Sequence, residues 1–287
     1  MTSQSASASA GATIVPPPDF VTAPPRSEPS PRWVRVIFAA TVVADTKRAL
    51  LVWEPPRPTP VYYFPKEDVR ASVLVPSSHT RSSPTMGEAA YWDVKVNDRV
   101  AASAAWTYLS SPPGTPDVSA YVAFKWDMMD TWFEEDDEVF VHPRDPHHRV
   151  DVMNSSRHVR VELAGVTVAD SKRPRLLFET SLPVRYYLPK QDVRMDLLTP
   201  SPTITHCPYK GTTMHWHFDK SGERIDDVAW TYHLPTPTCE KIADLLAFYN
   251  ERVDAIYVDD ELQPVPLTPW SRSREAHGWR KPHGSED

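Results

Sequence analysis

A mainly β fold of the α+β class, made of two tandem homologous units, follows from three features of the sequence. Residues 184–218, VRYYLPKQDVRMDLLTPSPTITHCPYKGTTMHWHF, repeat the plan of residues 60–94, PVYYFPKEDVRASVLVPSSHTRSSPTMGEAAYWDV. Both read aromatic pair, Pro-Lys, Asp-Val-Arg, polar loop, glycine and Trp-centred strand. Upstream, VRVIFAATVVADT from Val34 recurs as VRVELAGVTVADS from Val159, each alternating in the manner of strands. The chain also holds 31 prolines, which lack a backbone donor and so favour short strands and rigid turns over long helices.

Taken in order, residues 1–31 (SASASAGA, then PPP, APP and EPSP) bury too little apolar surface to offset their ordering entropy and read as a disordered tail. The first repeat is expected over 32–141. It opens on the alternating segment from Val34, where Ala39-Ala40 stands in the place of a hairpin turn. An apolar run, a glutamate and a turn lead to Tyr62-Tyr63, and the same order leads to Tyr186-Tyr187. Trp106-Thr107-Tyr108 and Trp230-Thr231-Tyr232 form a further matched strand. In the second repeat, 158–267, Ile242, Leu245, Leu246 and Tyr249 fall at helical spacing, predicting a C-terminal helix over 240–253 with Thr238 as its cap. Val118, Tyr121, Val122 and Lys125 follow that period in the first repeat. Short strands at 138–141 and 255–258 close the units. Between them, 142–157 is a polar connector whose Arg144, His147, His148 and Arg149 either pack across the cleft between domains or stay solvated. Residues 268–287 form a polar tail.

Composition narrows the function. Each repeat can bury on the order of 65% of its unfolded surface, enough for its own core. Two cysteines, Cys207 and Cys239, supply no disulfide framework, and a reducing, cytoplasmic setting is expected. The net charge of −7 and the acidic run at 134–138 repel phosphate backbones, so nucleic acid is not an expected partner. No apolar run approaches the roughly 20 residues of a membrane helix, and the start lacks the order of a signal peptide. A small-molecule ligand or substrate is the expected partner, and the oligomeric state stays open.

The repeats differ most in the matched loop and the strand after it. Aligning Pro84 with Pro208 sets Ser82-Ser83 against His206-Cys207, Thr85-Met86 against Tyr209-Lys210, and Tyr91 and Asp93 against His215 and His217. Nearly all the titratable groups therefore sit in the second copy. On a strand His215 and His217 project from one face and Trp216 from the other. The candidate catalytic set is His215, His217, Tyr209, Lys210 and Cys207. The histidines suit acid–base work, Cys207 becomes a nucleophile if its thiolate is stabilised, and Lys210 offers a cation or a proton. Hydrogen-bonded surface histidines and a buried, inert cysteine are the structural alternative. His206, Tyr186, Tyr187, Arg194, Asp192 and Trp216 are the candidate substrate-binding residues, the Asp-x-Arg pair placing both polar groups on one face. No cofactor is expected. A zinc site of His206, Cys207, His215 and His217 is the alternative, although it lacks the paired spacing of structural zinc.

The pieces VADTKRALLVWE, YYFPKEDVR, WFEEDDEVFVHPRDP, LLFETSLPVRYYLPKQDVRMDLL, THCPYKGTT and AFYNERVD give the chain a family likeness. Over about 32–267 it resembles the two-domain members of the family called domain of unknown function 427. The resemblance implies a compact β-tent type unit of several short coiled sheets with one helix. The family also carries a nucleotidyltransferase-like label. That chemistry needs magnesium-holding carboxylates beside a phosphate-binding Gly-rich loop. With 8 glycines in the chain, no such loop precedes a helix, and the acidic pairs Asp226-Asp227 and Asp259-Asp260 follow turn residues or end a strand. Family members usually carry a small or polar residue after the tryptophan where this chain has His217, a departure that points to a specialised role. Three readings follow: a non-redox enzyme using acid–base chemistry on a small organic molecule in the second repeat, a non-catalytic small-molecule or protein-binding module, and nucleotidyl transfer.

Overall fold

The computed structural model describes residues 23–220, 222–266 and 268. The chain divides between Pro146 and His147 into two compact units. The first contains β1 (Arg26–Pro29), β2 (Val34–Phe38), β3 (Thr41–Thr46), β4 (Leu50–Trp53), β5 (Val61–Pro65), β6 (Leu74–Ser83), β7 (Gly87–Val96), β8 (Arg99–Tyr108), β9 (Tyr121–Phe124), β10 (Thr131–Glu134) and β11 (Asp137–Glu138). They form a seven-stranded antiparallel sheet in the order β1-β4-β5-β9-β8-β7-β6 and a four-stranded one in the order β11-β10-β2-β3.

The second unit repeats this plan strand for strand. Its elements are β12 (Val150–Asn154), β13 (Val159–Leu163), β14 (Val166–Ser171), β15 (Arg175–Glu179), β16 (Arg185–Leu188), β17 (Leu198–Cys207), β18 (Gly211–Lys220), β19 (Glu223–Pro235), β20 (Leu246–Phe248), β21 (Ala255–Val258) and β22 (Glu261–Leu262). The sheets run β12-β15-β16-β20-β19-β18-β17 and β14-β13-β21-β22. The duplicated, mainly β architecture expected from the sequence is the one observed.

Alternation explains the core. In β2, Val34, Val36 and Phe38 are buried while Arg35 and Ile37 are only half-buried, and the apolar set meets Tyr62, Phe64, Phe124 and Trp132 in the first unit's main core. Val159, Val161 and Leu163 meet Leu188, Phe218 and Leu246 in the second. The Ala39-Ala40 turn has positive φ at both residues, 48° and 55°, as does Ala164-Gly165, at 48° and 70°. This is the turn geometry that matches the twist of a two-residue hairpin.

Five expectations need correction. Arg26–Pro29, placed in the tail, is an edge strand paired with β4 from Arg26↔Trp53 to Pro29↔Leu50, with the Arg26 guanidinium 3.5 Å above the Trp53 ring. The connector contains β12, the counterpart edge strand, paired with β15. Short edge strands draw their stability from the ladder with a neighbouring strand, which composition does not report. The rest of the tail expectation, 1–22, lies outside the described residues, as does 269–287. The helix expected over 240–253 is instead a 3-10 turn, Pro237–Ile242, followed by β20. Leu246 and Phe248 enter the main core and Ala247 the opposite one. A strand buried on both faces is a continuous apolar run, which periodicity cannot separate from a helix. Nor is there a helix at the matching period in the first repeat: Val118 is a buried residue between strands, and Tyr121 and Val122 are in β9. The counterpart of β21 is β10, whereas only Glu138 of the segment 138–141 is in a strand.

Glu134 is buried and accepts from the Tyr62 hydroxyl at 2.9 Å and from Arg32 at 2.6 Å. Among the described residues, no helix is long and apolar enough to cross a membrane.

Candidate functional site in the second repeat

The large sheet of each unit has a second face, away from the main core, and there the two copies start from the same frame. Trp106 donates its indole N–H to the Tyr63 hydroxyl at 3.0 Å, and Trp230 donates to Tyr187 at 3.0 Å. The rings meet edge-on, 6.1 Å apart in both. Beside each tyrosine lies a glutamate at the end of the neighbouring strand, Glu54 in the first copy and Glu179 in the second. Their side chains are 5% and 4% exposed.

The partners of these two acids differ. Glu54 accepts from the Tyr63 hydroxyl and, at 3.3 Å, from Tyr108. Burial raises its pKa, and the tyrosine bonds and the Arg57 charge offset only part of that rise. Glu179 instead accepts from the Lys210 ammonium and from His148 Nε2 at 3.0 Å. Burial pushes this carboxyl up too, but the His148 bond and the Lys210 charge outweigh it and hold Glu179 below the usual carboxylate range. In the first copy the place of Lys210 is taken by Met86, fully buried.

Local structure fixes this cluster. The Tyr209-Lys210 turn ends at Gly211, whose φ of 107° and whose missing Cβ, only 3.0 Å from Leu234 O if built, both demand glycine. The Lys210 carbonyl accepts from Thr236 N at 3.0 Å, and the Tyr209 carbonyl accepts from the Thr236 hydroxyl at 2.6 Å. The Tyr209 ring stacks on His148 with centroids 4.1 Å apart and planes 20° from parallel. Cys207 is half-buried and free, and its thiol lies close enough to Tyr187 and Tyr232 to contribute to their raised pKa values, which burial dominates. Tyr209, Lys210, Cys207 and Tyr187, all expected site residues, are thus gathered with Glu179 and His148.

The remaining expected residues are distributed differently. His215 and His217 share a face, as alternation requires, further along β18. His215 is buried, with Nε2 3.0 Å from the Thr205 hydroxyl and 3.1 Å from that of Thr213, and burial lowers its pKa. His217 Nδ1 accepts from the Asp227 amide at 3.2 Å and lies 3.0 Å from Asp226 Oδ1. Asp227 occupies a left-handed bulge position, φ 48°, as does Ser103, whose amide donates to Asp93 Oδ1 at 2.7 Å. His217 thus does in its copy what Asp93 does in the other: it caps the amide of a strained bulge residue. His206 lies across from Thr212, bonded at 2.9 Å. That register puts it on the face opposite Cys207 and His215. Among the described residues, no group of three or more His, Cys, Asp and Glu side chains is placed to hold a metal ion.

Tyr186 packs in the main core, and Trp216 donates to Thr231 at 3.1 Å. Asp192 binds Arg173 at 2.9 Å and Ser171 at 2.8 Å, while Arg194 pairs with Asp196 at 2.6 Å. The Asp-x-Arg pair therefore does not pair with itself. Asp68 repeats the Asp192 arrangement with Arg48 and Thr46, which marks it as part of the shared frame.

Two members of the cluster, Glu179 and His148, were not singled out as site residues in the sequence. The signal for Glu179 is its match to Glu54 directly after an apolar strand. His148 sits in a segment read as a connector, and nothing in the sequence ties it to residue 179 or 209.

Comparison with protein families gives one finding: a family model described as domain of unknown function 427 matches residues 26–135 and again 151–259. No curated protein matches the chain.

Proposed function

Since the chain belongs to the family described as domain of unknown function 427, matched once by each repeat, a description that assigns no activity, we propose that the second repeat binds a small polar organic molecule and acts on it by acid–base chemistry. The working groups are Lys210, Glu179 and His148, with Tyr209, Tyr187 and Cys207 around them. One observation carries this reading. In the first repeat the matching glutamate has Met86 in the place of Lys210, has its pKa raised by burial and has Arg57 4.0 Å away, so an ammonium delivered from this turn is not something the fold needs. Buried ammonium–carboxylate pairs add little or nothing to stability relative to apolar replacements. Groups kept in a buried, charged state without a folding requirement are what a proton-transfer site uses.

His148, stacked on Tyr209 and bonded to Glu179, is the proton-carrying member. Lys210 supplies a cation that stabilises developing negative charge. Nucleotidyl transfer finds less support, because Asp259 and Asp260 form the β21–β22 turn with positive φ, and Asp259 is bound by Arg157 at 2.7 Å and by the His158 amide at 2.9 Å.

The test is ligand screening by thermal shift with the wild type and with the double variant Lys210→Met/Glu179→Gln, which removes both charges of the pair. Compounds that stabilise only the wild type, and that are turned over, support the proposal. Binding without turnover reduces the site to a binding module. Identical responses of the two proteins to every compound overturn it.

A further inference from the structure

We propose that Cys207 and Cys239 form a redox-active thiol pair, which a peroxide converts into a disulfide joining the end of β17 to the 3-10 turn Pro237–Ile242. Strand register brings the two segments together. Gly211 pairs with Cys207 on one side and with Pro235 on the other, so the start of β18 lies between the ends of β17 and β19. From Pro235 the chain turns back. The Cys239 amide donates to the Thr236 carbonyl at 2.8 Å, and the Cys239 thiol donates to the carbonyl of Tyr209, two residues after Cys207, at 3.7 Å. Thr236 binds the same turn through its hydroxyl and its amide. A disulfide needs Cα atoms about 4.4–6.8 Å apart, and the segments carrying these cysteines are already joined by direct hydrogen bonds.

Side-chain surroundings agree with the backbone. Cys239 packs in one cluster with Tyr187 and Tyr232. Burial raises the pKa of both tyrosines, and the Cys207 thiol adds to that rise. Burial raises Cys239 as well, and Cys207 again adds to it.

Both cysteines are free, and both belong to the second copy. The first has Ser83 and Thr115 in their places. Ser83 pairs with Gly87 as Cys207 does with Gly211, and the Thr115 amide donates to the Pro112 carbonyl as that of Cys239 does to Thr236. The frame therefore accepts hydroxyls at both positions, and the thiols add chemistry that folding does not ask for.

Burial divides the roles, since Cys207 is half-buried and Cys239 fully buried. The Cys207 thiolate attacks one oxygen of hydrogen peroxide, the O–O bond breaks, and the leaving hydroxide takes a proton to become water. Cys207 is then a sulfenic acid. The Cys239 sulfur attacks it, the S–O bond breaks and a second water leaves, so two thiols lose two hydrogens and one peroxide becomes two waters. A reversible disulfide of this kind is compatible with a reducing compartment. Any effect of the bridge on acid–base chemistry at Lys210 rests on the function proposed for the second repeat, whereas the bridge itself does not.

The test treats the reduced full chain with hydrogen peroxide, counts free thiols and maps peptides by mass spectrometry without reduction. Free thiols are expected to fall from two per chain to none, with a linked Cys207–Cys239 peptide two hydrogens lighter than its parts, and a reductant is expected to restore both thiols. Cys239→Thr, the first repeat's residue, is expected to stop at a Cys207 sulfenic acid that dimedone traps, and Cys207→Ser to leave Cys239 unreacted. The Lys210→Met/Glu179→Gln variant is expected to form the same bridge, so failure of the bridge is separable from failure of the acid–base site. Two free thiols persisting at millimolar peroxide, oxidation of Cys207 without a link to Cys239, or links only between separate chains each overturn the inference.

Discussion

Glu54 and Glu179 occupy equivalent positions in duplicated units, yet one is solvated by tyrosine hydroxyls and the other by an ammonium and an imidazole. The backbone, the neighbouring tyrosine and its tryptophan partner are the same in both. What differs is the set of partners: His148 and Lys210 reach Glu179, whereas the turn residue matching Lys210 in the first copy is Met86. These partners hold Glu179 below the usual carboxylate range while burial raises Glu54, because burial penalises charge unless hydrogen bonds and an opposite charge answer it. The first copy serves as an internal control for the second. It shows which charges folding tolerates being without.

The comparison can be broken most severely at Lys210. Lys210→Met alone leaves Glu179 without its ammonium and is expected to destabilise the protein by about 3–5 kcal/mol at neutral pH. Adding Glu179→Gln is expected to restore most of that loss. Urea unfolding of the single and double variants measures it. A double variant as unstable as the single one would make the pair a structural necessity.

A smaller effect separates the two acids by pH. Glu179 has a lowered pKa when folded, so its contribution to stability is present above the unfolded value, about 4.3, and is lost as pH falls through the lower folded one. Glu54 has a raised pKa, so its contribution is complete below the unfolded value and is lost as pH rises through the folded one. At pH 8 Glu54→Gln is expected to be neutral or stabilising and Glu179→Gln destabilising, with the Glu54 difference shrinking toward pH 4. Denaturation midpoints across pH read both, and slopes of the same sign would erase the contrast.

His217 sharpens the comparison further. His217→Ala is expected to cost about 1–3 kcal/mol, the penalty of an uncapped buried amide. His217→Asp, the first repeat's solution, is expected to recover most of it. Equal melting temperatures for wild type and His217→Ala would show that the Asp227 amide needs no cap.

The smallest effect concerns the hairpin turns. Ala40 has φ 55° where the second copy has Gly165 at 70°. Ala40→Gly is expected to stabilise by about 1 kcal/mol by removing left-handed strain, and Gly165→Ala to destabilise by a similar amount. A loss of stability in Ala40→Gly would mean that the added chain entropy outweighs the strain.

Much of the site's frame was legible in the sequence. Equivalent positions, the hairpin turns and the shared face of His215 and His217 all follow from repeat alignment and period two. The helix at 240–253 was misread because Leu246, Ala247 and Phe248 are buried on both sides of a central strand, which removes the alternation that identifies strands. The connector was misread because β12 is a short edge strand following the polar stretch 142–149. His217 looked catalytic because its equivalence to Asp93 carries meaning only once both are seen to cap a bulge amide.

The sequence by itself determined the duplicated β framework and the concentration of titratable side chains in the second copy, because strand periodicity and turn chemistry are local. Only the tertiary structure decided that Lys210 meets Glu179 and His148, and that Cys239 is set against the turn next to Cys207. Those meetings depend on strand order and on burial. Strand order brings distant segments side by side, and burial sets how strongly a charge must be answered.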